Sequence, residues 1–398
     1  MSRVTLGEAF VLNPTVKLSK GTHAPFVDMA SLVPFTRDVS AAQEKPYGGG
    51  MKFCDGDVLM ARITPSLENG KTSVYRAAAN QRNAPAFGST EFIVIRGKEG
   101  ISSTSFAYYL FTSPEIRDYA IGSMNGSSGR QRVQFDSLAS FEIDLPELQE
   151  QRSIAATLGA LDDKIESNRR AINFLGELFN AEFSRTLEST ETISTRPLDA
   201  IATITKGRSY KSAELQDSPV ALVTLKNIDR NGGYKHDGLK PYIGPYKPEQ
   251  IVSPGEIVVA QTDLTQGAEV VGRGVRVPAS GNHDILVASL DLSILRPKDG
   301  MPNEYLLGLL SSEAFRQHCR SRVTGTTVLH LAKDAMPTWL APVVSPEKQE
   351  GFAATARALL SRMDAYTTEN NRLTSTRDAL LPELLSGRIR VPVEGADV

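Results

Sequence analysis

The sequence predicts an α+β chain in which two pseudo-symmetric α/β domains are separated by two long helices that form an antiparallel coiled coil. Three observations carry this. Blocks of sequence recur at an offset of 199 or 200 residues in one order. Each copy contains β-branched runs bounded by Gly and Pro. Each copy ends in a long stretch whose apolar residues return at alternating gaps of three and four.

The repeat is visible in four places. "CDGDVLMARIT" (54–64) resembles "SPGEIVVAQTD" (253–263), and Gly56 and Gly255 are 199 positions apart. "STEFIVIRG" (89–97) resembles "SLDLSILRP" (289–297), and "SPEIRDYAIGSMNG" (113–126) resembles "SEAFRQHCRSRVTG" (312–325). "PELQEQR" (146–152) resembles "PEKQEGF" (346–352), at an offset of 200. Four blocks in the same order imply an internal duplication. "LGEAFVLNPTVKLSKG" (6–21) is a poor match to "LDAIATITKGRSYKS" (198–212).

Within each half a strand-and-turn region comes first, with runs such as "FIVIR" (92–96) and "IVVAQ" (257–261). A short helix follows, for which Ser113 or Ser312 is the expected N-cap and Pro114 a suitable first residue. Then come the Gly/Ser/Thr-rich loops "NGSSGRQRV" (125–133) and "TGTTVLH" (324–330). The long helices begin near Pro146 and Pro346.

In the first long helix the register runs Ile154, Leu158, Leu161, Ile165, Asn168, Ile172, Leu175, Phe179. The second gives Phe352, Ala356, Leu359, Met363, Tyr366, Asn370, Leu373. This is a heptad seam. Roughly forty residues at about 1.5 Å each span on the order of 60 Å, and an exposed seam of that length needs a partner. The second helix is the obvious one, run antiparallel to the first. Asn168 and Asn370 are read as register-setting polar positions, against the alternative of a water-exposed turn in a helical hairpin. Ala356, Arg357 and Thr367 dilute the second seam.

The chain has 398 residues, 40% hydrophobic and 23% charged, with a net charge of −2. Residues 146–191 hold 5 basic against 9 acidic side chains, so the acidic excess lies in the helical stretches. The other segments are near neutral to slightly basic, which permits a DNA-facing surface without demanding one. There is no apolar run of membrane-spanning length and no signal-like N-terminus, and Cys54 and Cys319 have no paired spacing. A reducing cytoplasm fits best.

Catalytic motifs are missing. "ENGKTSVY" (68–75) ends like a phosphate loop, but Pro65 stands where the required glycine belongs. "LDDK" (161–164) has nuclease-like residues on a heptad helix. "NPTV" (13–16) lacks the second proline and aromatic of an adenine methylase, and "YGGG" (47–50) does not join a strand to a helix. His23, His236, His283, His318 and His330 have no metal-ligand spacing. No cofactor or metal site is expected in this chain, which reads as a binding and positioning device.

Duplication, twin helices and absent catalysis together resemble the specificity (S) subunits of type I restriction–modification systems. "LPELQEQRSIAATLGALDDKIESNRR" (145–170) and "LLPELLSGRIRV" (380–391) carry the likeness most sharply, supported by "GDVLMARITPS" (56–66) and "STEFIVIRG". The resemblance implies target-recognition domains at 1–145 and 191–341 and helical spacers at 146–190 and 342–398. It implies that each domain reads half of a split, asymmetric site in double-stranded DNA. It also implies docking of two methyltransferase (M) subunits and recruitment of the translocase–nuclease (R) subunit. S-adenosylmethionine, ATP and Mg are then expected on those partners, with no membrane partner. The alternative is a coiled-coil adaptor whose two globular domains bind proteins. A chain with a diverged catalytic site of its own is a further rival.

Base reading needs Arg, Lys, Asn or Gln, and phosphate contact needs cations, hydroxyls or backbone amides. The first half offers Ser127, Ser128, Arg130, Gln131 and Arg132. The second offers Thr324, Thr326, Thr327 and His330, with Lys206, Arg208, Tyr210 and Lys211 from the basic loop "TKGRSYKS" (205–212). Asn227, Gln261 and Arg273 complete the candidates. The bland reading of each is a solvated loop with incidental charge.

Overall fold

The structure is a computed structural model. It describes residues 2–127, 129–189, 194–230, 232–265, 267–281 and 283–392. The chain divides into two compact units, one of Met1–Ser167 with Glu369–Val398 and one of Asn168–Thr368.

In the first unit the strands Val58–Ala61 and Phe92–Gly97 pair antiparallel at the centre of a five-stranded sheet. The order is Phe10–Leu12, Phe92–Gly97, Val58–Ala61, Thr72–Tyr75, Asp38–Val39. Every residue of Val58–Ala61 is buried, because both faces are covered. Val58, Met60, Ile93 and Ile95 pack towards Phe106 and Leu110 of the helix Thr104–Thr112. Leu59, Phe92 and Val94 pack the other way, on Phe53 and Val27 of a second, four-stranded sheet. A period of two on a sheet covered on both sides reads as a continuous apolar run.

The second unit repeats this plan. Its four-stranded sheet runs Ala202–Lys206, Leu292–Pro297, Ile257–Ala260, Gly274–Arg276. Ile257, Val259 and Leu295 face the helix Asn303–Ser311, while Val258, Ala260, Leu292 and Ile294 face the second sheet. There Val220–Val223 lies parallel to Ile285–Ala288, as His23–Val27 lies parallel to Ala86–Gly88 in the first unit. Ser113 and Ser312 cap the helices Pro114–Gly122 and Glu313–Arg320, as expected.

The poorly matching openings of the two halves nonetheless fold alike. Leu6–Ala9 and Leu198–Ile201 are both short helices. In both halves a lysine Nζ holds the backbone of this helix: Lys98 on the carbonyls of Gly7 and Glu8 at 2.8 Å, and Lys298 on that of Asp199 at 2.7 Å. A backbone-directed contact constrains the shape of the turn and leaves its sequence free.

The long helices are Leu148–Glu188 and Pro346–Leu385. A buried glutamine anchors each start. Gln151 Nε2 donates to the carbonyls of Pro146 and Ile101 at 2.8 and 3.0 Å, and Gln349 Nε2 donates to that of Val344 at 2.8 Å. Within the first unit Ile154 and Leu158 share a core with Leu381 and Leu384. Within the second unit the rings of Phe179 and Phe183 lie 5.4 and 5.3 Å from that of Phe352. In both units the early part of one helix meets the late part of the other, which is the antiparallel arrangement. Ile154, Leu158, Ile165, Asn168 and Phe179 are buried along the first seam. The second seam is thinner, since Leu359, Met363, Tyr366, Asn370 and Leu373 are only half-buried. Ala356, however, is fully buried and belongs to the core rather than diluting it. Gly308 admits Phe183 at close range, because a Cβ there would lie 2.3 Å from its ring.

Candidate nucleic-acid interface

In the first unit the strand Val58–Ala61 continues into Arg62 and Ile63, and the Gly/Ser-rich loop returns beside it. Ile63 and Asn125 both bridge antiparallel to Arg132, and Thr64 N donates to the Gln131 carbonyl at 3.0 Å. Ser127 and Arg130 form the exposed tip, with the Arg130 amide turned back on the Ser127 carbonyl at 3.0 Å. Ser128 lies outside the described residues. Gln131 is half-buried.

Arg132 is held rather than free. Its Nε donates to both Glu91 carboxylate oxygens at 3.0 Å and its Nη2 to one at 2.7 Å, with Arg62 Nε 3.6 Å from the same carboxylate. The Arg132 hydrogen bond, followed by its charge and that of Arg62, outweighs burial and draws Glu91 below its ordinary value. The site is therefore two cations sharing one anion. It presents a fixed guanidinium, and the exposed cation at the loop tip is Arg130. Arg62 and Glu91 escaped sequence reading because strand-end residues carry no signal that a loop will return to them.

The second unit builds the same place from different side chains. Thr262 pairs with His330, which also pairs with Thr324, just as Ile63, Arg132 and Asn125 are linked in the first unit. His330 thus stands where Arg132 stands, and by the aligned blocks Gln261 stands for Arg62 and Asp291 for Glu91. Gln261 Nε2 donates to Ser293 Oγ, and Thr262 Oγ1 donates to Asp291 at 3.0 Å. Thr324, Thr326, Thr327 and His330 are exposed on this hairpin.

The basic loop reaches the same end of the sheet. Arg208 N donates to the Ala288 carbonyl at 2.7 Å, Leu290 N donates to that of Arg208 at 2.7 Å, and Gln261 N donates to that of Asp291 at 2.7 Å. Gly207 makes this approach possible, since a Cβ there would lie 2.1 Å from the Ser289 oxygen. The structure thus brings Lys206, Arg208, Gln261, Thr324 and His330 to one edge. Lys206 is exposed and Arg208 half-buried. Tyr210 turns away to pack with Tyr242 on the second sheet, accepting from Lys240 Nζ at 3.0 Å, and Lys211 is exposed beyond it.

One candidate, Asn227, does not reach the edge. Asn227 is fully buried. Its Nδ2 donates to the Lys235 carbonyl at 2.7 Å and its Oδ1 accepts from Thr224 N at 2.8 Å, so both amide ends serve the turn and none is left for a base. Arg273 is half-buried beside the turn that follows Asp263, with Nε donating to the Glu269 carbonyl at 2.6 Å. Asp263 is itself fully buried. Burial alone would raise its carboxyl, but the amides of Val270, Thr265 and Val271 and the Thr265 hydroxyl outweigh that and hold it low. Asn168 is buried in the first long helix and Asn370 is half-buried in the second. No metal-binding cluster and no membrane-crossing helix is present among the described residues.

Residues 50–175 match the family model of the type I restriction modification DNA specificity domain. The chain is 22% identical to the type I restriction enzyme HindI specificity subunit of Haemophilus influenzae, across 88% of this chain and 90% of that one. It is 26% identical to the EcoEI specificity subunit of Escherichia coli, over 40% of this chain but only 27% of that relative's length. The crystal structure of a type I restriction–modification S subunit from M. genitalium shares its fold, with a TM-score of 0.55 at 15% identity, covering 96% of this chain and 95% of that one. The chain thus carries a match to the type I DNA specificity domain at 50–175, and with its duplicated framework and paired long helices it is similar along most of its length to specificity subunits of type I restriction–modification systems.

Proposed function

We propose that this chain is the non-catalytic, sequence-reading subunit of a type I restriction–modification complex. It recognises a bipartite, asymmetric site in double-stranded DNA, one half through the domain at 1–145 and the other through the domain at 191–341. The helical spacers at 146–190 and 342–398 dock two methyltransferase subunits and set the distance between the half-sites. The assembly recruits the restriction subunit and works in the cytoplasm. S-adenosylmethionine, ATP and Mg belong to those partners.

One observation carries the reading. The two units share the order of four strands in the main sheet, yet the residues at the equivalent sheet edge differ: Arg62, Glu91 and Arg132 in one, Gln261, Asp291 and His330 in the other. A constant framework with variable side chains at one edge is what reading two different half-sites requires. The loop candidates Ser127, Ser128, Arg130, Gln131, Lys206 and Arg208, with Thr324, Thr326 and Thr327, supply hydroxyls and cations for the flanking phosphates, and Asn168 and Asn370 fix the helix register.

Arg130 tests the first half. Arg130→Ala is expected to weaken binding of the cognate duplex by the assembled complex about tenfold, with the melting temperature unchanged. Unaltered affinity and salt dependence in the same titration would remove this loop from the interface.

A further inference from the structure

A group of arginines in the second unit lies beside the reading edge. On the helix Glu313–Arg320, Arg316 and Arg320 are four residues apart and share a face. Arg273 Nε and Arg316 Nη2 donate to the Glu269 carbonyl at 2.6 and 3.2 Å, and Arg320 Nε donates to the adjacent Ala268 carbonyl at 3.1 Å. Three guanidiniums thus converge on two neighbouring carbonyls. Two carboxylates flank the three guanidiniums: Glu269 pairs with Arg230 at 3.4 Å, its Oε2 buried without a hydrogen bond among the described residues, and Glu313 makes a long ion pair with Arg316 at 3.9 Å.

The cluster is incompletely satisfied. Arg316 Nε is buried without a hydrogen bond among the described residues. Burial and the neighbouring guanidiniums hold Arg273 and Arg316 below arginine's ordinary value. Crowded like charges with an unused buried donor cost free energy that an anion between them recovers.

The duplication adds an independent observation. Arg117 follows Ser113 by the spacing that Arg316 follows Ser312, and its Nε is likewise buried without a hydrogen bond. There the guanidinium lies over the Phe35 ring, 5.5 Å from its centroid, and Ile121 stands where the second unit has Arg320. The same position has thus been kept as an arginine in both halves, while only the second half surrounds it with further cations. A feature common to two domains that read different sequences suits a part of DNA that does not vary, the phosphate backbone.

We propose that Arg273, Arg316 and Arg320 form a phosphate site that grips the DNA backbone beside the half-site read by the second unit. The site rests on the DNA-reading function above and adds to it a sequence-independent clamp. It makes the two halves unequal in electrostatics, the second contributing more of the salt-dependent affinity.

The test uses the full-length chain assembled with its methyltransferase subunits, and two fluorescent duplexes, one carrying the methylated motif and one with the motif scrambled. Arg316→Gln with Arg320→Gln is expected to weaken both duplexes by the same factor. It should also reduce the slope of log affinity against log salt by about one. Arg316→Lys with Arg320→Lys should keep the wild-type slope, which a purely bracing role would not produce. Should the glutamine pair melt early, Arg316→Gln alone is read in the same way. An unchanged slope in a variant that melts normally overturns the site, as does weakening confined to the motif duplex. Inorganic phosphate that raises the wild-type melting temperature at constant ionic strength, with no slope change in the glutamine pair, overturns it in favour of a free-anion site. A wild-type complex that binds neither duplex fails the DNA reading itself, a result distinct from failure of the clamp.

Discussion

Asp162 and Arg377 form a buried ion pair within the first unit. Arg377 Nη1 donates to Asp162 Oδ1 at 2.7 Å, and the Tyr109 hydroxyl donates to Oδ2 at 2.8 Å. With Asp162 5% and Arg377 11% exposed, removing one partner strands the other charge away from water. Arg377→Met is therefore expected to cost about 3 kcal/mol, read as a shift of the denaturant midpoint. Asp162→Asn combined with Arg377→Met should recover part of that loss through coupling. Additive losses would show that the pair does not act as a unit. Asp263 gives a pH signature. Its folded pKa is depressed, so its contribution to stability is fully present above the unfolded value of about 3.9 and is lost as pH falls through the lower folded value. Replacing it with Asn should flatten the stability curve in that acid window, measured by melting temperature against pH. A curve parallel to wild type would contradict the role given to its four hydrogen bonds.

At the level of elements, the duplication was legible because it is written in strand cores and turn acids. Asp57 accepts from Arg96 Nε and Nη2 at 2.6 Å, and its counterpart Glu256 accepts from Arg296, so the aligned blocks share a charged clasp as well as apolar runs. The seam of the first long helix was legible for the same reason: its spacing follows from helix geometry. What could not be read was the use of each polar group. Asn227 and Arg130 are both loop residues with good DNA-binding chemistry, yet one is spent inside a turn and the other is exposed. That difference is set by backbone partners distant in sequence, such as Lys235 for Asn227. The "LDDK" stretch was legible as helix and opaque as a site for the same reason, since its partner Arg377 is 215 residues away. The helices yield an element-scale test. Matched insertions of one heptad after Ala171 and after Thr367 preserve the seam and add roughly 10 Å to each helix. The recognised spacer should lengthen by about three base pairs at roughly 3.4 Å each. A retained original spacer in an active complex would contradict the ruler role.

Taken as a whole, the molecule carries a net charge of −2, a poor advertisement for a DNA-binding protein. The acidic excess lies on the long helices, while Arg62, Arg130 and Arg132 in one unit and Lys206 and Arg208 in the other place cations at the sheet edges. A mean over the chain conceals this, because the field near a surface follows local charge within a Debye length of about 8 to 10 Å. In the proposed function two unlike edges read two unlike half-sites. Base-resolution methylation mapping tests it most directly, in cells carrying this chain with its partner subunits and in the same cells lacking the chain. The expected result is one asymmetric motif of two defined halves around an unspecified spacer of fixed length. That motif should vanish when the chain is deleted. A contiguous motif, or a methylation pattern unchanged by the deletion, would contradict it.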